Sequence, residues 1–324
     1  MTVLVTGAAG FIGSHVVKAL AARGQQVLGI DNFNAYYDVR LKQFRLRELE
    51  DLANFSMIKV DLAGAARLLE AMKPHMDSIT HIVHLAAQAG VRHSIDHPLD
   101  YLSANLAGHL HVLELARRLP NLDNLVYASS SSVYGAREDG AFSLADRADA
   151  PVSLYAATKR ADELMSSAYS HLYRIPQTGL RFFTVYGPAG RPDMAYFKFT
   201  EAVLGGSPIN VHGDGTQRRD FTYIDDIVAG VVAAVDRPSD SGSYHRLFNL
   251  GNDSPEPLSR LIDWIEVACG ERAKINYSPK AAGDVPATWA DITDSRQYLE
   301  YEPKVSLEEG VGRFVHWYRG YVNA

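Results

Sequence analysis

Val3-Leu-Val-Thr-Gly7-Ala-Ala-Gly10-Phe11-Ile12-Gly13 is the stretch from which the fold of this chain can be read. The apolar run at 3–5 has the brevity and β-branched character of a buried strand. Three glycines follow at G-x-x-G-x-x-G spacing, and a helical pattern over 11–23 comes next. Gly7 permits a tight turn, Gly10 lets backbone N–H groups approach a pyrophosphate, and Gly13 lets helix and strand pack closely. The helix N-terminus then turns its partial positive charge towards the phosphates. A glycine triplet alone is weak evidence, because any tight turn uses glycine. Its position at the first strand–helix turn strengthens it.

Moving outward, the second strand (26–30) ends at Asp31. A carboxylate there can accept both adenosine ribose hydroxyls and would repel a 2′-phosphate. No arginine follows it directly, so NAD is expected rather than NADP. Further buried strands read at 55–60, 79–84 and 124–128, with helices near 11–23, 64–74 and 98–118 between them. A helix at 155–173 leads to a strand at 177–182. Apolar strands alternating with helices imply an α/β fold with a Rossmann-type, doubly wound parallel sheet. Asp61, after the third strand, either meets the adenine edge or caps the helix at 64–74. His84-Leu85-Ala86-Ala87-Gln88 ends the fourth strand in small residues, as a sheet passing under a flat cofactor requires. Phe11, Ile12, Asn32 and Leu62 complete the expected cofactor wall.

Beyond about 183 the pattern changes. Glycine and proline become denser, a short strand reads at 209–212, and amphipathic helices recur near 257–268 and 306–320. The chain therefore divides into an NAD-binding part, 1–182, and a smaller α/β substrate-binding part, 183–324. The second is expected to cross back onto the first.

Composition narrows the classes. The chain has 324 residues, 47% of them apolar and 22% charged, with a net charge of −6. No global basic field draws in nucleic acid or an acidic membrane. There is one cysteine, Cys269, so no intrachain disulfide forms, which fits a reducing compartment. No stretch approaches the roughly 20 apolar residues of a membrane span. No signal peptide or metal site is expected, and the cytoplasm is the expected location.

Catalytic chemistry is suggested by Tyr155-Ala-Ala-Thr-Lys159, which puts phenol and ammonium one helical turn apart on one face. A phenol is a poor base at neutral pH, and a neighbouring cation favours its phenolate. Upstream, Tyr127-Ala-Ser129-Ser130-Ser131-Ser132 sets a row of hydroxyls at the end of the fifth strand, where such sheets bind ligands. Alone, Y-x-x-x-K is common on helices. After a glycine turn and a serine-ended strand, in that order, it is specific.

At these residues the sequence resembles the extended short-chain dehydrogenase/reductases that act on nucleotide sugars, over nearly its whole length. The resemblance implies Ser130, Tyr155 and Lys159 as a catalytic triad, although the adjacent serines leave the choice within 129–132 open. Related dehydratases carry an acidic pair at Ser131-Ser132, and related decarboxylases carry Glu at Ser132. Lacking both, this chain is left with oxidation and reduction at C4, which is epimerisation through a transient 4-keto sugar.

The segments Asp31-Asn-Phe-Asn-Ala-Tyr-Tyr-Asp-Val-Arg-Leu-Lys42 and Thr184-Val-Tyr-Gly-Pro-Ala-Gly-Arg191-Pro-Asp-Met-Ala195 resemble those of UDP-glucuronate 4-epimerases. In that group the positions of Thr184 and Arg191 meet the uronate carboxylate, a match for a guanidinium fork. Galactose-type relatives usually carry Asn in place of Thr184. By the same likeness Arg219 meets the UDP pyrophosphate and Asp284 the uridine ribose. Galactose-type enzymes often carry an arginine where this chain has Ala281, and Thr288 stands where size affects acceptance of larger sugars. The resemblance also implies a homodimer paired through the helices near 98–118 and 153–173. Two alternatives remain: a UDP-galactose or UDP-N-acetylhexosamine 4-epimerase, and a non-catalytic NAD-binding sensor or scaffold.

Overall fold

The computed structural model describes residues 1–137, 140–239, 242–279 and 287–323. Strands β1 (Thr2–Thr6), β2 (Gln26–Asp31), β3 (Phe55–Lys59), β4 (His81–His84), β5 (Asn124–Ser130) and β6 (Gln177–Phe182) alternate with helices. The short strands β7 (Thr184–Tyr186), β8 (Ile209–His212), β9 (Arg218–Arg219) and β10 (Phe221–Tyr223) follow. Then come β11 (His245–Leu250), β12 (Glu256–Pro257), β13 (Ile275–Ser278) and β14 (Ala287–Thr288). The seven-stranded sheet runs β11-β6-β5-β4-β1-β2-β3, with every neighbouring pair parallel. Strand order reverses between β1 and β4, so a crevice opens at their carboxyl ends, the usual ligand position in such sheets.

Alternation along the strands builds two cores. Val3, Val5, Val27, Val83, Val126 and Leu180 face one side, while Leu4, Leu28, Ile30, Ile82, Leu125 and Tyr127 face the other. Burial on both faces is why these strands read as continuous apolar runs. Truncating a fully buried position such as Leu4 to Ala costs about 2–5 kcal/mol.

The helices of the first part are α1 (Phe11–Ala22), α2 (Val39–Glu50), α3 (Ala65–Met72), α4 (His93–Asp96), α5 (Pro98–Tyr101), α6 (Gly108–Ala116) and α7 (Leu154–Tyr173). The expected helix at 98–118 is one path with a π-helical stretch, Leu102–Ala107, at its centre. Helix α2 escapes a sequence reading because its buried face is narrow and partly polar: Leu41, Lys42, Arg45 and Leu49. Helix α7 begins where the Ser153 hydroxyl accepts the Ala156 N–H at 3.1 Å. It ends at Arg174, in the left-handed region with φ 55°.

The later helices are α8 (Ala195–Leu204), α9 (Ile224–Asp236), α10 (Leu258–Cys269), α11 (Thr293–Leu299) and α12 (Leu307–Val322). Helix α9 packs against α1, and β11 becomes the edge strand of the main sheet. The covalent division at 182–183 is therefore not the edge of the sheet. Helices α8, α10 and α12 pack together with the parallel β8–β13 pair. Among the described residues no helix is long and apolar enough to cross a membrane.

Candidate active site

A cleft of about 660 Å³ opens over the carboxyl ends of the central strands. At one end the glycine turn forms its floor. Gly7 sits at φ +72°, and a Cβ there would lie 2.8 Å from the Ala86 backbone nitrogen. A Cβ on Gly13 would lie 2.0 Å from the Gly7 carbonyl oxygen, so strand, turn and helix meet backbone to backbone. The Gly10 N–H donates to the Gly7 carbonyl at 2.8 Å. Side chains cannot enter this cradle, and a pyrophosphate can reach the first turn of α1.

Asp31 is held in place by its surroundings. Its Oδ2 accepts the Ala9 N–H at 3.2 Å and its Oδ1 accepts the Phe33 N–H at 2.8 Å. Buried Lys42 approaches Oδ1 at 3.5 Å. Asn32 donates to Asp61 at 3.1 Å. Asp61 accepts the Ala63 N–H, while the N-cap of α3 is Gly64, so of the two expected roles Asp61 is not the cap. Gly7, Gly10, Phe11, Ile12, Gly13, Asp31, Asn32, Asp61, Leu62, Leu85, Ala86 and Ala87 all line the cleft. Gln88 does not: it is buried behind the wall, accepting from Asn34 at 2.9 Å, and its N–H donates to Asn105.

At the other end stand the hydroxyls of β5 and the face of α7. Ser129 is turned inward and donates to Glu163 at 2.6 Å. Ser130 lies on the cleft surface, and its Oγ accepts the Ser132 N–H at 3.2 Å. All four serines line the cleft with Tyr155 and Lys159, but the Ser129 hydroxyl is committed to Glu163, which favours Ser130, Ser131 or Ser132 for the sugar. The Lys159 ammonium donates to the Ala128 carbonyl at 2.9 Å and to Asp162 at 3.2 Å. Burial pushes the Asp162 carboxyl up to about 6 even though Lys159 pulls it down. Burial also lowers His84, the last residue of β4, to about 3, with Lys159 acting in the same sense. That imidazole is neutral.

Thr184 and Arg191 reach the same wall from the second part of the chain. Arg191 is not free: its Nε and Nη2 donate to the two oxygens of Asp193 at 3.0 and 2.5 Å. Tyr36 donates to the same carboxylate at 3.1 Å. Burial pushes Asp193 up, but the Arg191 guanidinium outweighs it and holds the carboxyl below its ordinary value. Arg219 lies on β9, half-buried, with Nη1 donating to the Arg218 carbonyl, and is outside the set of residues lining the cleft. Asp284 and Ala281 lie outside the described residues. Thr288 is the register partner of Arg219 on β14.

With this geometry in view, relatives can be compared. Residues 3–251 match the NAD dependent epimerase/dehydratase family. The chain belongs to that family. It is 44% identical to Protein CapI of Staphylococcus aureus over 99% of both chains. It is 46% identical to UDP-glucuronate 4-epimerase 4 of Arabidopsis thaliana, over 99% of this chain and 76% of that protein. Its structure superposes with a TM-score of 0.90 on UDP-glucuronic acid 4-epimerase from Bacillus cereus in complex with UDP-glucuronic acid and NAD. That match is 35% identical and covers 99% and 100% of the two chains. The chain is an NAD-dependent nucleotide-sugar 4-epimerase, and the cradle at Gly7 and Gly13 with the Asp31 carboxylate fits the dinucleotide.

Several contributors are not legible in the sequence. Arg45 is fully buried and bonds the carbonyls of Ala9, Ala189 and Gly190, tying the glycine turn to the loop that carries Arg191. An arginine midway along a charged helix gives no signal of that role. Lys42, Tyr36 and Asp193 are likewise recruited from segments that only the fold brings together.

Proposed function

We propose that the chain interconverts UDP-glucuronate and UDP-galacturonate at C4. The carrying observation is that Thr184 and Arg191 line the same cleft as Ser130, Tyr155, Lys159 and the dinucleotide cradle. NAD, when bound, supplies the hydride acceptor and donor at C4. The chain's own residues handle the proton and the position of the sugar. Tyr155 as phenolate takes the 4-hydroxyl proton and returns it. Lys159, one turn along α7, lies with it on the cleft wall and is placed to hold the nicotinamide ribose. Ser130 orients the 4-oxygen. Arg191 offers the uronate its Nη1 side, because Asp193 occupies the Nε–Nη2 edge. Arg219 and Asp284 are assigned to the UDP pyrophosphate and ribose by resemblance.

The Arg191–Asp193 pair also favours a second reading. A guanidinium already neutralised by a carboxylate attracts a uronate less than a free one does, and a neutral UDP-galactose or UDP-N-acetylhexosamine escapes repulsion by Asp193. Product analysis after incubation with UDP-glucuronate and, separately, UDP-glucose decides between them. UDP-galacturonate as the faster product supports the proposal. UDP-galactose as the faster product overturns it. A mere NAD-binding scaffold would convert neither, and the intact Tyr155–Lys159 pair argues against that reading.

A homodimer belongs to the same proposal. Ile95 and Leu99 are 74% and 73% exposed beside α5, and Leu164 and Leu172 on α7 are 56% and 65% exposed. Leu99, Leu164 and Leu172 lie on the two expected pairing helices, with Ile95 on α4 just before the first, and apolar side chains this exposed suit burial against a second copy. Light scattering that gives a dimer for the wild type and a monomer for Leu164→Glu supports pairing, and a monomeric wild type refutes it.

A further inference from the structure

We propose that His93, His97 and Asp100 form a binding site for a divalent transition ion of the zinc class at the rim of the cleft. Their spacing is i, i+4, i+7, and backbone bonds keep them on one side: the His97 N–H donates to the His93 carbonyl at 2.9 Å and the Asp100 N–H to the His97 carbonyl at 3.3 Å. One ligand atom from each lies within 4.8 Å of the other two. His93 Nε2 already lies 3.5 Å from the Asp100 carboxylate.

The donor chemistry selects the ion. Two imidazoles and one carboxylate suit zinc, copper or nickel rather than magnesium or calcium, which take all-oxygen shells. Three protein ligands leave one coordination position open. Zn–N bonds of about 2.0–2.1 Å put tetrahedral ligands about 3.3 Å apart, so no pair must close by more than about 1.5 Å. Side-chain rotation supplies this. His97 and Asp100 are exposed, while the His93 ring is steadied by Tyr36 at 4.8 Å between centroids. The His93 and His97 rings lie stacked at 4.3 Å, so closure turns their edges, not their faces, towards the ion.

The position gives the site a role. His93 lines the cleft beside Arg92 and Tyr36, and Tyr36 bonds Asp193. An ion bound here directs its open position towards the rim, where an oxyanion of phosphate or carboxylate type completes the shell.

The test is calorimetric titration of untagged, NAD-loaded protein with Zn²⁺ at neutral pH, repeated for His97→Ala and Asp100→Asn. Both positions are exposed and outside the catalytic wall, so fold and basal turnover are retained. One ion per wild-type chain is expected, with affinity reduced at least tenfold in His97→Ala and less in Asp100→Asn. Co²⁺ should give visible bands of low-symmetry coordination in the wild type only. A wild type that binds no Zn²⁺, or a His97→Ala variant that binds it equally well, would overturn the proposal.

Discussion

The two ends of the cleft are built by different means. At the cofactor end, Gly7, Gly10, Gly13 and Asp31 come from two adjacent strands and one turn, and the sheet brings them together by pairing β1 with β2. At the proposed sugar end, Thr184 opens β7 and Arg191 sits on the loop after it, paired with Asp193, which Tyr36 also bonds, while Arg45 ties that loop to the glycine turn. The first end is defined by backbone conformation and tolerates almost no substitution. The second is defined by side-chain electrostatics, with the Arg191 guanidinium paired to Asp193.

The largest effect should come from the residue between the two ends. Tyr155→Phe should leave NAD bound and the melting temperature unchanged while lowering kcat by about 10²–10⁴-fold. Near-normal turnover would remove the proton-transfer role.

Arg191→Ala tests the sugar end. If its guanidinium pairs with the uronate, kcat/KM for UDP-glucuronate should fall by the roughly 2–5 kcal/mol of a broken buried charge pair, about 30- to several-thousand-fold. Turnover of UDP-galactose, however slow, should change far less. Equal losses on both substrates would make Arg191 a phosphate or structural contact and return the neutral-sugar reading.

Asp31→Ala tests the cofactor end. Losing charge-assisted hydrogen bonds worth about 1.5–3 kcal/mol should weaken NAD about 10- to 100-fold and narrow its advantage over NADP. Lys42, 3.5 Å from Asp31, would then be left without its carboxylate, which sharpens the shift towards the phosphorylated cofactor. A wild type that binds NADP as tightly as NAD would contradict the reading of β2.

The smallest effect concerns pH. Asp162 titrates near 6 in the folded chain, above its unfolded value, because burial disfavours its charge. Its stabilising contribution is therefore complete below the unfolded pKa and is lost as pH rises through about 6. Asp162→Asn, which cannot ionise, should match the wild type in acid and gain melting temperature relative to it above pH 6. The gain should be on the order of a few degrees. No pH dependence in that difference would show that Lys159 fully offsets the burial of Asp162.

Which features were legible follows from the range of the forces involved. Local rules reached the glycine turn, Asp31, the Tyr155–Lys159 pair and the strands of the first part, because each depends on residues a few positions apart. They missed α2, where charge hides a narrow buried stripe, and they read 98–118 as one regular helix without its π-helical centre. They also placed Gln88 on the cleft wall, although its side chain is buried and its carbonyl oxygen is taken up by Asn34, which itself lines the cleft.

The sequence by itself determined the doubly wound class, the glycine turn and the spacing of Tyr155 and Lys159 on one helix face, because backbone sterics and helical periodicity act along the chain. Only the tertiary structure decided that Ser129 turns inward to Glu163, that Asp193 neutralises one edge of Arg191, and that β11 and α9 return to the first sheet. Those outcomes rest on electrostatics and packing between residues far apart in sequence, whose strength depends on distance and burial that no local pattern encodes.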